Sequence, residues 1–230
     1  MPGFEHNGAM LNYELMGNWD SGCLPILLLH GNGESMRVFD DSIFPLLDEC
    51  AFIGLDSRAQ GLSSGEPAGY RVMADDALAL LRHLGINRCN VVGFSDGAII
   101  AIMLALDSDM FDRAVLIGAN IDPKGLKPFV RLEMQIMKAF YKIKRDDRSA
   151  QLFDLMLKEP NISPQSLKSI NARTYVVVGS KDMIKRAHTL SIHEAITGSE
   201  LVVFNGVGHM IPREAPAKLS DLFKDVFLDK

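Results

Sequence analysis

A serine hydroxyl is a poor nucleophile at neutral pH. It becomes a good one beside a base that takes its proton and a carboxylate that orients that base. Gly93-Phe94-Ser95-Asp96-Gly97 offers the first part, because in G-x-S-x-G the small flanking residues permit a tight strand-to-helix turn that projects the hydroxyl outward. The same pattern stands at Gly61-Leu62-Ser63-Ser64-Gly65, so context has to separate the two. Asn90–Phe94 reads as a strand and Ala98–Leu106 as a helix, which gives Ser95 the required setting. Ser63 runs instead into Glu66-Pro67-Ala68-Gly69, which stops a helix. Ser95 is the candidate nucleophile and Ser63 a loop residue.

Six histidines could supply the base. His209 stands in Gly206-Val207-Gly208-His209, after the last expected strand, where a glycine-rich turn can bring an imidazole over the sheet's carboxyl edge. His6 near the terminus, His83 late in a helix, and His188 and His193 in a helical segment read as surface or packing residues. Asp182, in Gly179-Ser180-Lys181-Asp182, follows a strand on the same rim and is the candidate orienting acid; Asp122, after the preceding strand, is the alternative. The chemistry is acyl transfer, for which no cofactor is needed. No metal site is expected, since the five-residue spacing of His188 and His193 misses the one-turn pairing of a helical zinc motif.

The elements that must carry these residues alternate strand and helix, as in a parallel sheet covered on both faces. Strands are expected at Pro25–His30, Ala51–Asp56, Asn90–Phe94, Ala114–Gly118, Tyr175–Gly179 and Leu201–Phe204. Helices are expected from about Ser35 to Leu47, over Arg71–Leu84 where Met73, Ala77, Leu80, Leu81 and Leu84 share a face, after Ser95 and Lys185, and over Ala215–Phe227. Between Ile121 and Ala172 the alternation lapses into two amphipathic stretches flanked by prolines, which read as a helical cap. The expected division is a core of residues 1–121 and 173–230 with a cap at 122–172 that is an insertion and not an independent domain. Met134, Met137 and Phe140 share related faces of the cap; Met134, with Met36, Met183 and Met210, is a candidate pocket-lining residue.

Taken in order, these motifs resemble the α/β-hydrolase superfamily over nearly the whole chain except the cap. His30-Gly31-Asn32-Gly33 is similar to the family's H-G-x-G loop, and Asp56-Ser57-Arg58-Ala59-Gln60-Gly61-Leu62-Ser63 to its structural D-x-R-G-x-G-x-S turn, which also accounts for the second G-x-S-x-G. The resemblance implies an oxyanion hole made by the backbone N–H groups of Asn32 and Asp96, and the order serine, aspartate, histidine is the family's. It implies a serine hydrolase acting on a small carboxylic ester or a related thioester, lactone or amide. A C–C hydrolase, a cofactor-free perhydrolase and a slow-turnover small-molecule sensor are the alternatives. Ala59 replaces the usual glycine, so the turn either avoids positive φ there or is strained. Asp96 replaces a commoner apolar residue; its carboxylate either favours the start of the following helix or binds a cationic group of the substrate.

Composition narrows the setting. A chain of 230 residues, 47% hydrophobic and 23% charged, suits one large core. Its formal charge of −5 comes from interspersed acids and bases with no basic stripe, so nucleic acid is not an expected partner. Three widely spaced cysteines suggest a reducing compartment. No signal-like or membrane-spanning run is seen. The expectation is a cytoplasmic protein with a small-molecule substrate and no membrane partner; the sequence is silent on oligomeric state.

Overall fold

The computed structural model describes residues 3–228; residues 1–2 and 229–230 of the expected core lie outside the described residues. One eight-stranded sheet runs in the order β1-β2-β4-β3-β5-β6-β7-β8. The strands are β1 (Gly3–His6), β2 (Ala9–Gly17), β3 (Ile26–Leu29), β4 (Ala51–Leu55), β5 (Cys89–Phe94), β6 (Phe111–Ile117), β7 (Arg173–Gly179) and β8 (Glu200–Phe204). β2 pairs antiparallel with β1 and β4, and every other pairing is parallel. The helices are α1 (Asp40–Ile43), α2 (Tyr70–His83), α3 (Asp96–Asp107), α4 (Pro128–Ile143), α5 (Asp147–Lys158), α6 (Arg186–Ala195), α7 (Ile211–Glu214) and α8 (Pro216–Phe227). Among the described residues no helix is long and apolar enough to cross a membrane.

The strands β3 and β4 are apolar at every position because both faces are covered. Alternate residues feed two cores, as the two-residue period of a strand requires. Leu27, Leu29, Ile53, Leu55 and Val91 pack with Leu80 of α2 and Ile102 of α3. Ile26, Leu28, Phe52, Val92 and Phe94 face Phe39, Ile43 and the α8 residues Leu219 and Phe223. Burying side chains of this size contributes about 1.5–3 kcal/mol each, which makes this sheet a rigid frame for loops at its carboxyl edge.

Several expected boundaries shift. No strand is expected before Pro25, yet β1 and β2 form a hairpin whose Asn7 and Gly8 both take positive φ, 45° and 73°. That is the pairing an Asn-Gly two-residue hairpin turn favours. The expected helix from Ser35 to Leu47 is three short pieces, Met36–Phe39 and Phe44–Leu46 being 3-10 turns around α1; Pro45 lacks the N–H a continuous helix needs. The expected C-terminal helix is α8, opened by Pro216, and a short helix that was not expected, α7, precedes it. The strands expected at Asn90, Ala114, Tyr175 and Leu201 each begin a little earlier.

The turn after β4 is a folded knot of buried polar groups. Asp56 accepts from the backbone N–H of Met36 at 2.8 Å and of Leu62 at 2.9 Å, and from Asn12 Nδ2 at 2.9 Å. Ser63 Oγ donates to the Asp56 carbonyl at 2.6 Å and accepts from the Asn12 N–H at 2.8 Å, so this serine is a structural peg. Arg58 and Asp76 form a buried bidentate ion pair with both contacts at 2.6 Å. Ala59 sits at φ 60°, so of the two conformations open to the turn it takes the strained one. Ala59→Gly is therefore expected to raise unfolding free energy by about 1 kcal/mol. Urea denaturation measures this, and an unchanged or lower midpoint would show that no strain resides there.

The crossover from β6 to β7 carries α4 and α5. Their inner residues Val130 and Met134 make a small cluster of their own with Leu126 and Ile184, over the carboxyl end of the sheet.

Candidate active site

Ser95 lies between β5 and α3 with φ 53° and ψ −113°, a conformation that L-residues rarely adopt and that persists only where packing enforces it. The two glycines of the motif are steric necessities. A Cβ on Gly93 would stand 2.2 Å from the Gly97 carbonyl oxygen, and one on Gly97 2.0 Å from that of Leu29. The turn is held from below by the Ser95 N–H, which donates to the Ile117 carbonyl at 2.8 Å.

Two loops at the carboxyl ends of β7 and β8 bring the remaining groups to it. His209 Nε2 lies 3.0 Å from Ser95 Oγ, and its Nδ1 lies 2.9 Å from Asp182 Oδ1. With Nδ1–H donating to the Asp182 carboxylate, Nε2 is left to accept from the serine hydroxyl. The Ile184 N–H donates to the same Asp182 oxygen at 2.9 Å, and the carboxylate is 2% exposed. Gly118, at φ 61°, clears space for the imidazole, since a Cβ there would meet His209 Cε1 at 2.8 Å. Asp122, the alternative acid, is occupied otherwise: its Oδ1 accepts from the Lys124 N–H at 2.7 Å and caps a short turn.

The loop after β3 completes the rim. His30 is buried, which lowers its pKa below the ordinary histidine value. The neutral ring bonds Gly31 O through Nδ1 at 2.7 Å and accepts the Ser57 N–H on Nε2 at 2.9 Å. That fixes the backbone from which Asn32 extends. Neither the Asn32 nor the Asp96 N–H is spent on another group among the described residues, so both are free to donate to an oxygen held near Ser95. The Asn32 side chain reaches Asp96 Oδ2 at 3.0 Å and the carbonyl of Leu152 in α5 at 3.3 Å, tying this loop to the cap.

Asp96 is the unusual group. Burial raises its carboxyl pKa to about 6, against the opposing pull of the Asn32 and Tyr70 side chains and of His209. The buried Tyr70 side chain lies beside this carboxyl group. Both line a cavity whose wall also holds Ser95 and His209. Met134 and Met183 line it as well. Met36 and Met210 do not: Met36 is buried against Gly54 of β4, and Met210 packs on the core beneath α8. The direction of each side chain relative to the sheet decided this, and methionine content could not. Tyr70, Asn120, Met156 and Glu159 join the lining without having been singled out in the sequence. Asn120 alone carried a usable signal, by following a strand at the active edge.

Residues 25–151 match the family model described as alpha/beta hydrolase fold. This chain belongs to that family. Among curated relatives of this alpha/beta hydrolase, a putative carbamate hydrolase, RutD, of Agrobacterium fabrum is 31% identical over 131 residues, covering 54% of this chain and 50% of the relative. A second RutD, from Pantoea ananatis, is 33% identical over 97 residues, 41% of this chain and 35% of its own. The chain thus spans half or less of the first curated relatives it matches. Of solved structures, MGS-M2, an alpha/beta hydrolase enzyme from a Medee basin deep-sea metagenome library, superposes with a TM-score of 0.86 at 20% identity, covering 100% of this chain and 98% of that one. At such identity the likeness is one of fold.

Proposed function

We propose that this alpha/beta hydrolase is a serine hydrolase that cleaves a small carboxylic ester through a covalent acyl-enzyme. The observation that carries the reading is the unbroken line from Asp182 through His209 to Ser95, with contacts of 2.9 and 3.0 Å, opening onto a cavity lined by Tyr70, Asp96 and Met134. Ser95 Oγ attacks the carbonyl carbon while His209 Nε2 takes its proton. The carbonyl oxygen becomes an oxyanion between the Asn32 and Asp96 N–H groups, each such donor being worth about 10²–10³-fold in rate. His209 returns the proton to the leaving alkoxide. A water, deprotonated by the same imidazole, then attacks the acyl carbon and frees Ser95. Thioesters, lactones and some amides would pass through the same steps.

A finer reading concerns the acyl part of the substrate. Asp96 and Tyr70 line the cavity, and Glu159 adds a second carboxylate to its lining. A substrate bearing an ammonium group would satisfy them, so an amine-bearing ester is the preferred class.

A fluorophosphonate reagent tests the assignment, because it reacts only with an activated serine. Labelling of Ser95, mapped by mass spectrometry, abolished in Ser95→Ala and diminished in His209→Ala, is the expected result. Labelling of Ser63, or none, would sink it. Tight ligand binding with turnover below about one per minute, far under the usual enzymatic range, would identify a sensor instead.

A further inference from the structure

Asn32 and Asp96 stand on different elements, the loop after β3 and the first turn of α3. The proposed reaction uses one backbone N–H from each, so the separation of these two residues sets how well both donors can meet a single oxygen. Connectivity does not fix that separation, since 64 positions lie between them. The side chains do. Asn32 Nδ2 donates to Asp96 Oδ2 at 3.0 Å, and the same nitrogen donates to the Leu152 carbonyl of α5 at 3.3 Å. An amide nitrogen carries two hydrogens, and these two acceptors take both. A carbonyl and a carboxylate can only accept, so the amide cannot be turned over without losing both bonds.

The rest of the loop is held elsewhere. The Gly33 N–H donates to Gln60 Oε1 at 2.6 Å, which ties the loop to the turn after β4, and the Glu34 N–H donates to the Gly31 carbonyl at 3.2 Å within the loop itself. Among the hydrogen bonds of the described residues, the Asn32 to Asp96 bond is the one that joins residues 31–34 to residues 95–97. Its acceptor side chain belongs to a residue only 4% exposed, and a bond to a buried, ionised acceptor is strong and well directed. We propose that the Asn32 side chain is a positioning residue for the oxyanion: it clasps the loop after β3 to Asp96 and, through Leu152, to the cap, and so holds the two N–H donors at their working separation. This rests on the serine-hydrolase reading above. It gives the Asp96 side chain a task apart from any ammonium group, and one that asparagine at this position would still perform, because its carbonyl oxygen also accepts.

The test is steady-state kinetics of Asn32 variants on neutral short-chain esters, which bring no charge to Asp96. Asn32→Ala keeps the backbone N–H and loses both side-chain bonds. Its kcat is expected to fall about 10–100-fold, as for groups displaced by up to about 1 Å, with KM changed less than about threefold. Asn32→Asp sets two carboxylates against each other and should lower kcat at least as much. Asn32→Asp/Asp96→Asn places the carboxylate on the loop and the amide on α3, so the bond forms again with donor and acceptor exchanged. This double variant should exceed Asn32→Asp in kcat by about fivefold or more, short of the parent rate because an aspartate gives Leu152 no proton. Losses of kcat that merely follow a lowered melting temperature, with no recovery in the exchanged pair, would mean a structural role and overturn the proposal. An Asn32→Ala variant with the parent kcat, in a parent chain that fluorophosphonate labels at Ser95, would overturn this proposal alone. A parent chain that does not label at Ser95 would overturn the serine-hydrolase reading and this proposal with it.

Discussion

Ser95→Ala is expected to lower kcat for a short-chain ester by about 10⁴–10⁶-fold while leaving KM nearly unchanged, because the hydroxyl forms its bond only in the transition state. His209→Ala should cost a similar factor, and the double variant no more than the worse single one. In the proposed mechanism the two residues act as a unit: with Ser95 gone there would be no proton for Nε2 to take, and the residual rate would come from the Asn32 and Asp96 N–H groups alone. Single-turnover and steady-state kinetics measure this directly. If the two losses multiplied in the double variant, Ser95 and His209 would be acting independently, against the 3.0 Å contact between them.

Asp96→Asn is expected to stabilise the fold at neutral and alkaline pH and to leave it unchanged in acid. The sign follows from the direction of the shift. In the folded chain the carboxyl keeps its proton up to about 6, against an ordinary value of 3.8, chiefly because it is buried. Ionising it costs the folded state more than the unfolded one. The penalty is absent below the ordinary value, develops as pH rises toward about 6 and persists above it. Its size is at most about 3 kcal/mol. Asparagine escapes it while still accepting from Asn32 Nδ2. Buried His30 and His188, both lowered by desolvation, make each protein less stable as pH falls below the ordinary histidine value. That effect cancels in the difference between variant and parent. Chemical denaturation at several pH values should show the gap opening between mild acid and neutrality; equal stability at every pH would mean that Asp96 is solvated.

The same substitution separates the two roles of the side chain. If the carboxylate binds an ammonium group, Asp96→Asn raises KM for amine-bearing esters and not for neutral ones of the same size. An equal effect on both classes would return Asp96 to the start of α3, where an acid is favourable anyway. A residue that lowers stability and raises affinity is what a binding site tolerates at its centre.

Much of this chain was written in local pattern. The apolar runs at Pro25–His30 and Tyr175–Gly179 announced buried parallel strands, since covering both faces of a strand removes the need for polar alternation. Ser95 could be chosen over Ser63 because only one of the two serines lay between a strand and a helix. Asn7-Gly8 held the signal for a hairpin, but the strands on either side, Gly3–His6 and Ala9–Gly17, are too short or too mixed in polarity to stand out from a loop. The broken helix before Leu47 was signalled by Pro45, whose effect on helix length a pattern of apolar spacing does not register.

What the sequence by itself determined is the type and order of the candidate groups: a serine at a strand-to-helix turn, then an aspartate, then a histidine, each at the carboxyl end of a strand. Tertiary structure alone decided which groups share space with them. Met134 faces the cavity while Met36 turns into the core, and Tyr70 and Asp96 meet there although 26 positions separate them in the chain. The reason is physical. Strand and turn propensities act over a few residues, whereas the lining of a cavity depends on how helices from distant parts of the chain cross the sheet, and that is settled by packing of the whole core.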